Sequence, residues 1–163
     1  MGLYAEQLSG TPFTFAKHKN KRSWLYRIVP TVKHNDWSDQ SNKNYYQKWI
    51  SNFNGDKGLR ITPEQLRWKP QSFTNTMFHH SIKTLMGSGS PDLKTGLAIS
   101  HYTIGKDMTQ NRVAMYSSDG DFLIVPQIGT LLVTTEFGKL RVDPKEILVV
   151  PRGSKFSVDI ESG

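Results

Sequence analysis

The sequence predicts a mainly all-β fold: an antiparallel, jelly-roll-like barrel with a loop-rich N-terminal part and one or two short helices. From Gly96 onward, short apolar runs alternate with Gly, Pro and Asp, a spacing typical of strands joined by turns. The intervals are too short for the crossover helices that parallel strands need, so we expect mostly antiparallel pairing. A length of 163 residues favours one domain, with residues 1–96 packed on the barrel strands of residues 97–163.

The N-terminal part contains one predicted strand and one predicted aromatic helix. Residues 24–29 are an apolar run that ends before Pro30. Because the apolar residues occupy both faces of this run, we expect a strand that is covered on both sides. In residues 44–53, aromatic and apolar side chains recur at spacings of three and four, which predicts a short helix with one apolar face.

The next segments alternate between helix, loop and strand signals. Thr62 followed by Pro63 is typical of a helix start, and Pro70 ends that helix after one or two turns. Residues 87–91, which are rich in Gly and Ser, predict a loop. The turn at residues 136–139 predicts a hairpin. Seven C-terminal strands are predicted, at residues 97–104, 113–116, 122–125, 131–136, 139–142, 147–150 and 155–160.

The composition excludes several classes of protein. The chain has no cysteine, which rules out disulfides, cysteine-ligated zinc and cysteine nucleophiles. It has no apolar run near the ~18 residues of a membrane-spanning helix. Its first residues lack the basic and apolar regions of a signal peptide. We therefore expect a cytoplasmic protein with no membrane partner.

The net charge of +7 is concentrated near the N-terminus. Residues 1–60 hold ten Lys and Arg against four Asp and Glu, whereas residues 61–163 hold eleven against ten. The basic segment 17–22 is followed by Trp24 and Tyr26, and basic residues with aromatic neighbours are found on nucleic-acid-binding surfaces. Because the rest of the chain is nearly neutral, a solvated turn before a core strand is the favoured interpretation, and we expect no nucleic-acid partner.

The five histidines form no recognisable metal-binding motif. His18, His34 and His101 are isolated, and no H-x-H or H-E-x-x-H spacing occurs. His79 and His80 are adjacent, and neighbouring side chains on a strand point to opposite faces. One metal ion could not easily bind both, so we expect solvated or packed histidines and no metal site within this chain.

Three further motifs resemble functional sites but lack an essential part. The Asp-Gly-Asp of residues 119–121 lacks the remaining ligands of a calcium loop and predicts a tight turn. Gly87 and Gly89 are half of a phosphate loop, without its strand–turn–helix context. Ser100 and His101 face apart on a predicted strand, and no G-x-S-x-G elbow occurs. The sequence therefore assigns no catalytic, cofactor-binding or metal-ligating residue to this chain.

Residues 129–158 resemble part of a cupin barrel: strand, Gly turn, strand, acidic-Pro loop, apolar strand and then P-x-G. In metal-bearing cupins, P-x-G-x-x-H places a histidine ligand inside the barrel. Here Pro151 and Gly153 are followed by Phe156 at the ligand position, and an aromatic ring without a nitrogen cannot coordinate a metal ion. This resemblance implies a barrel that is filled and metal-free.

Ordered blocks across nearly the whole chain resemble the homogentisate 1,2-dioxygenase family. A shared fold alone would not produce so many blocks in the same order. The blocks are LYAEQLSG at residues 3–10, KRSWLYRI at 21–28, QLRWKP at 65–70, GLAI at 96–99, DGDFLIVPQ at 119–127, TEFGK at 135–139 and PRG at 151–153.

The resemblance covers only the N-terminal portion of that family, so the chain is expected to be an N-terminal fragment that stops within its fold. Family members open the aromatic ring of homogentisate with O₂ in tyrosine and phenylalanine catabolism. Their Fe(II) is held by a 2-His-1-carboxylate set in the C-terminal half, beyond the residues matched here. The family is hexameric. The resemblance therefore implies a scaffold and subunit-contact domain, inactive and iron-free alone, whose partners are the C-terminal catalytic domain and other subunits.

Two questions stay open at the level of sequence. The charged residues Asp121, Glu136 and Arg152 lie inside matched blocks, and structural pairing is the expected reason for each. The alternative to a fragment is a free-standing, metal-free cupin-like module for binding or assembly. Phe156 in place of the metal ligand is compatible with both interpretations.

Overall fold

The computed structural model describes residues 2–7, 17–19, 24–30, 32–33, 49–54, 59 and 67–161, which are mainly β. The chain divides into two compact units, Met1–Asp39 and Gln40–Gly163. Every strand pairing in the described residues is antiparallel, as the sequence predicts. No helix within these ranges has the length and apolar character needed to cross a membrane.

The first unit contains a two-stranded ribbon. Strand β1 (Tyr4–Gln7) pairs with β2 (Trp24–Arg27), which begins where the sequence predicts a strand. Leu25 is buried, but Tyr26 is 52% exposed and Ile28, after the strand, is 80% exposed. The expectation of burial on both faces is therefore wrong, because successive strand residues point to opposite faces and here only the Leu25 side is covered.

The second unit contains one helical turn followed by a long hairpin. Helix α1 (Phe78–Ser81) leads into β3 (Lys83–Ser90), and a 3-10 turn (Pro91–Leu93) leads into β4 (Thr95–His101). The predicted loop at residues 87–91 is wrong, since most of it belongs to β3. A small residue is required at position 87 of this strand, because a side chain at Gly87 would collide with the ring of Phe53.

Residues 49–54 lie against β3. The Ile50 N–H donates to Thr84 Oγ1 at 2.9 Å, and the Phe53 N–H donates to the Gly89 carbonyl at 3.0 Å. The helix predicted for residues 44–53 is wrong for its described part, because residues 49–53 are not helical and bond to β3 instead. Residues 44–48 and 61–66 lie outside the described residues. Residues 67–70, the predicted end of the second helix, are not helical.

Five C-terminal strands form two further sheets close to the predicted positions. Buried register partners, such as Ile124 with Leu148 and Val133 with Val158, place one face of each sheet toward the interior. The predicted hairpin at residues 136–139 is confirmed. The strand predicted at residues 113–116 is not formed: this segment has only a single β-bridge, between Met115 and Phe156. The strands are β5 (Phe122–Ile124) paired with β8 (Leu148–Val150), and β6 (Leu131–Thr135) between β7 (Gly138–Val142) and β9 (Phe156–Ile160).

One apolar cluster joins these two sheets to helix α1. Ile124 and Val150 reach it from one sheet, Val133 and Val158 from the other, and Phe78 from the helix. All five side chains are almost completely buried. The strands that the structure describes do not close into a continuous barrel: they form separate sheets of two and three strands.

Candidate functional site

A cleft of about 820 Å³ lies between β4 and β5 in the second unit. Nearly every residue from Lys94 to Tyr102 lines it on one side, and the stretch from Asp119 to Val125 lines the other. Helix α1 contributes Phe78, and the turn after β8 contributes Arg152. The cleft therefore follows two strands along their length, rather than converging on one point as an enzyme pocket does.

Aromatic side chains form the inner end of this cleft. The Phe78 ring packs edge-on against Tyr102 with a centroid separation of 5.0 Å, and it lies 6.5 Å from Phe122. The Tyr102 hydroxyl is buried and has no hydrogen-bond partner in the structure. Burial raises the pKa of Tyr102 to about 12, so this hydroxyl stays protonated at neutral pH and is a buried donor rather than a base.

Polar backbone contacts hold the rim of the cleft. The Arg152 N–H donates to Asp121 Oδ1 at 2.7 Å, and the Gly153 N–H donates to the Ser117 carbonyl at 2.8 Å. Glu136 acts similarly at another turn, where its Oε2 accepts from the Lys155 N–H at 3.2 Å. The carboxylates of Asp121 and Glu136 therefore stabilise turns. Asp121, the last residue of the Asp-Gly-Asp motif, accepts a hydrogen bond from the turn that follows β8.

The adjacent histidines lie on helix α1, not on a strand. Their rings pack together, with centroids 3.9 Å apart, so the expectation that His79 and His80 face opposite sides is wrong. Burial, followed by the charge of His80, lowers the pKa of His79 to about 4. His79 Nδ1 is buried without a hydrogen-bond partner, and the neutral ring is therefore the stable form in the folded protein.

The other predicted histidine positions are separate from this pair. His101 ends β4 opposite Lys83, and burial, followed by the Lys83 charge, lowers the pKa of His101. His18 is exposed in a 3-10 turn, Lys17–Lys19. His34 lies outside the described residues, as do residues 20–22 of the basic segment.

The described residues do not fit an iron site. Across residues 67–161 and the shorter described ranges, no group of three or more His, Asp or Glu side chains could hold a metal ion. Phe156, which follows the Pro151-Arg152-Gly153 motif, is 1% exposed. Its ring lies 6.2 Å from Phe78 and 5.8 Å from Phe122, edge-on to both. This position serves core packing.

Sequence reasoning predicted strands close to β4 and β5 but missed β3, and it did not predict that β4 and β5 border one cleft. Gly87 and Gly89, considered above as half of a phosphate loop, lie in β3. Ser100 and His101 lie on its partner strand β4. The Ser100 hydroxyl contacts Thr84 Oγ1 at 3.4 Å and not a histidine. The sequence signal that could have predicted β3 is the run from Lys83 to Met86, which is compatible with a strand and is followed by alternating Gly and Ser.

Comparison with known proteins decides the family. The family model described as homogentisate 1,2-dioxygenase N-terminal matches residues 1–163. The chain belongs to this family. Homogentisate 1,2-dioxygenase from Emericella nidulans is 44% identical over 163 residues, which cover 99% of this chain and 35% of the relative. The Caenorhabditis elegans relative of the same name is 46% identical, covering 98% and 36%, and the Homo sapiens relative is 45% identical, covering 97% and 35%.

The resemblance identified from the ordered sequence blocks is thereby confirmed. The chain spans about 35% of the length of the curated homogentisate 1,2-dioxygenases that it matches. These relatives are oxidoreductases by name, and the matched family model is that of their N-terminal part. The cleft between β4 and β5 therefore belongs to the N-terminal part of the homogentisate 1,2-dioxygenase family.

Proposed function

We propose that this chain is the N-terminal part of a homogentisate 1,2-dioxygenase and acts there as a scaffold and subunit-contact domain. The family match over residues 1–163 carries the proposal. In the complete enzyme, O₂ opens the aromatic ring of homogentisate, a step of tyrosine and phenylalanine catabolism. Fe(II) is bound by the part of the enzyme outside this chain, since the described residues offer no ligand set for it.

The scaffold role is supported by how the described side chains are used. Phe156, in the cupin ligand position, joins the aromatic core, and Asp121 and Glu136 hold turns. The antiparallel sheets and their common core support the cupin-like jelly roll, with residues 1–96 as its loop-rich part and residues 97–163 supplying the barrel strands. Exposed apolar residues on the outer side of β5 and β8 are suited to contact with another domain or subunit.

The mass of the natural gene product tests whether this chain is part of a longer enzyme. Since 18.6 kDa corresponds to 35% of the relatives' length, the expected intact mass is about 53 kDa, by simple proportion. Mass spectrometry of the protein isolated from its source cells measures it directly. A mass near 18.6 kDa would contradict the proposal and favour the free-standing binding or assembly module.

Turnover tests the scaffold role separately. The purified 163-residue chain, supplied with Fe(II) and homogentisate, is expected to consume O₂ no faster than iron in buffer. The full-length Emericella nidulans relative serves as the positive control under the same conditions. Iron-dependent ring opening by the 163-residue chain would show that this part contains catalytic machinery and would overturn the scaffold role.

A further inference from the structure

Two strand edges border the cleft between β4 and β5. In the described residues, β4 pairs only with β3, and β5 pairs only with β8. Residues 50 and 53 also contact β3, through the Thr84 hydroxyl and the Gly89 carbonyl. In an antiparallel strand, alternate backbone N–H and C=O groups point away from the partner strand. The outer edges of β4 and β5 therefore present two rows of backbone groups to the same cleft.

The cleft has the volume of a short strand. A strand of five residues, rising about 3.3 Å per residue, about 4.8 Å wide and about 10 Å thick, occupies about 800 Å³. The cleft measures about 820 Å³. Its lining follows the two strands residue by residue, from Lys94 to Tyr102 and from Asp119 to Val125. An extended segment matches this shape better than a compact small molecule does.

The side chains around the cleft specify the chemistry of the entering segment. Toward the interior lie Phe78 and Ile124, which belong to the buried core. Toward the outside lie exposed apolar side chains, including Leu97 at 64% and Leu123 at 64%. A strand between β4 and β5 would place successive side chains on these two sides. It must therefore be apolar on both faces, as in strands buried within a sheet.

We propose that an apolar extended segment from the rest of the homogentisate 1,2-dioxygenase chain inserts between β4 and β5 and joins their two two-stranded sheets into one. This rests on the proposed function, namely that a longer chain accompanies these residues. The relatives supply the length, since the match covers only 35% of them. A described strand of this chain is an unsuitable source, because each of β1 to β9 already has a partner.

The insertion explains the arrangement of the two small sheets. Two-stranded sheets are marginal by themselves, and open strand edges promote association with other chains. A single added strand would satisfy both edges and cover Leu97 and Leu123 in the same step. A segment of the same polypeptide would do so at high effective concentration, without a separate binding partner.

Hydrogen exchange with mass spectrometry tests this insertion. It compares the 163-residue chain, at a concentration where it is monomeric, with the intact Emericella nidulans relative at the aligned residues. Edge amides of β4 and β5 are expected to exchange at least about 100-fold more slowly in the intact protein. The internal control is β6, which is paired on both sides and is expected to be protected in both proteins.

Three results would overturn the insertion. Edge amides that exchange fast in the intact relative, with β6 protected, would show that no strand enters. Edge amides already protected in the monomeric 163-residue chain would assign the cleft to a segment of this chain itself. Protection that grows with the concentration of the 163-residue chain would assign it to a second copy. The intact-mass measurement fails or succeeds independently of these results, so the two proposals can be separated.

Discussion

At the scale of single residues, the interior of the second unit depends on an aromatic contact at Phe156. Its ring meets Phe78 and Phe122 edge-on, and its backbone pairs with Met115 across a single bridge. Edge-to-face pairs stabilise proteins beyond the area they bury. Phe156 thus links β9, β5 and helix α1.

Replacing this ring is expected to destabilise the chain severely. Phe156→Ala removes a buried ring and leaves a cavity, which lowers the free energy of unfolding by about 3–5 kcal/mol. Urea denaturation followed by circular dichroism measures the loss. Phe137→Ala is the matched control, because Phe137 is 53% exposed in the turn between β6 and β7, and it should change stability by less than about 0.5 kcal/mol. Equal losses in both variants would contradict the core role of Phe156.

The neutral state of His79 predicts how stability depends on pH. Its pKa is about 4 in the folded chain and 6.5 as an isolated side chain, because burial and then His80 disfavour the charged ring. Between those values the unfolded chain binds more protons, so this contribution is complete above pH 6.5 and is lost as the pH falls toward 4. Between pH 7.5 and 5, we expect His79 to account for about 1 kcal/mol, reduced from the full shift by solvent screening.

Comparison of His79→Gln with His18→Gln isolates this effect. The His79 variant should lose about 1 kcal/mol less than the parent chain between pH 7.5 and 5. The His18 variant, altered at an exposed position, should follow the parent. Urea titrations at the two pH values give the differences. Parallel behaviour of all three proteins would show that His79 accepts its proton equally well in the folded and unfolded states.

At the scale of elements, β3 depends on a glycine, Gly87, where a side chain would collide with Phe53. A Cβ at Gly87 would overlap the ring of Phe53 and approach the Leu97 carbonyl oxygen to 2.7 Å. Further along the hairpin, Gly89 and Gly96 are register partners with φ of 89° and 98°, in the region that favours glycine. The Gly-Ser composition of this strand therefore permits residues 49–54 to lie against it.

The substitution Gly87→Ala tests this close approach. We expect a loss of about 1–3 kcal/mol in the free energy of unfolding, because the added methyl group displaces the Phe53 ring or β4. In a Phe53→Ala background the loss should shrink, since the ring is gone. Gly120→Ala is the control, because its Cβ would meet nothing within 4 Å. A loss at Gly87 no larger than at Gly120 would contradict the packing of residues 49–54 on β3.

At the scale of the whole molecule, the second unit exposes a continuous apolar sheet face. Leu123 and Val149 are register partners of β5 and β8, 64% and 54% exposed, and Val125 and Ile147 flank them. Soluble monomers rarely expose large contiguous apolar patches without an interaction partner. This face fits the proposed role in domain or subunit contact.

Self-association of the 163-residue chain tests the role of this face. Leu123→Lys is expected to weaken association by about tenfold, because a charge cannot be buried against an apolar partner without a large desolvation cost. Sedimentation velocity over a concentration series measures the association constant. Ile128→Lys is the matched control, since Ile128 is 73% exposed in a loop, and it should leave association unchanged. Equal weakening by both variants would point to net charge instead of this face.

The sequence by itself determined the family, the β class, the antiparallel pairing and the C-terminal strands from residue 122 onward. These depend on local apolar runs, turn chemistry and ordered blocks, all of which are present in neighbouring residues. Only the tertiary structure decided that residues 49–53 are not helical, that residues 87–90 are strand, that His79 and His80 pack together and that two strand edges share a cleft. In each of these cases the deciding partner is distant in sequence or differs from what local spacing predicts. Phe53 requires Gly87, residues 50 and 53 bond to β3, and the turn of α1 brings both histidine rings to one side.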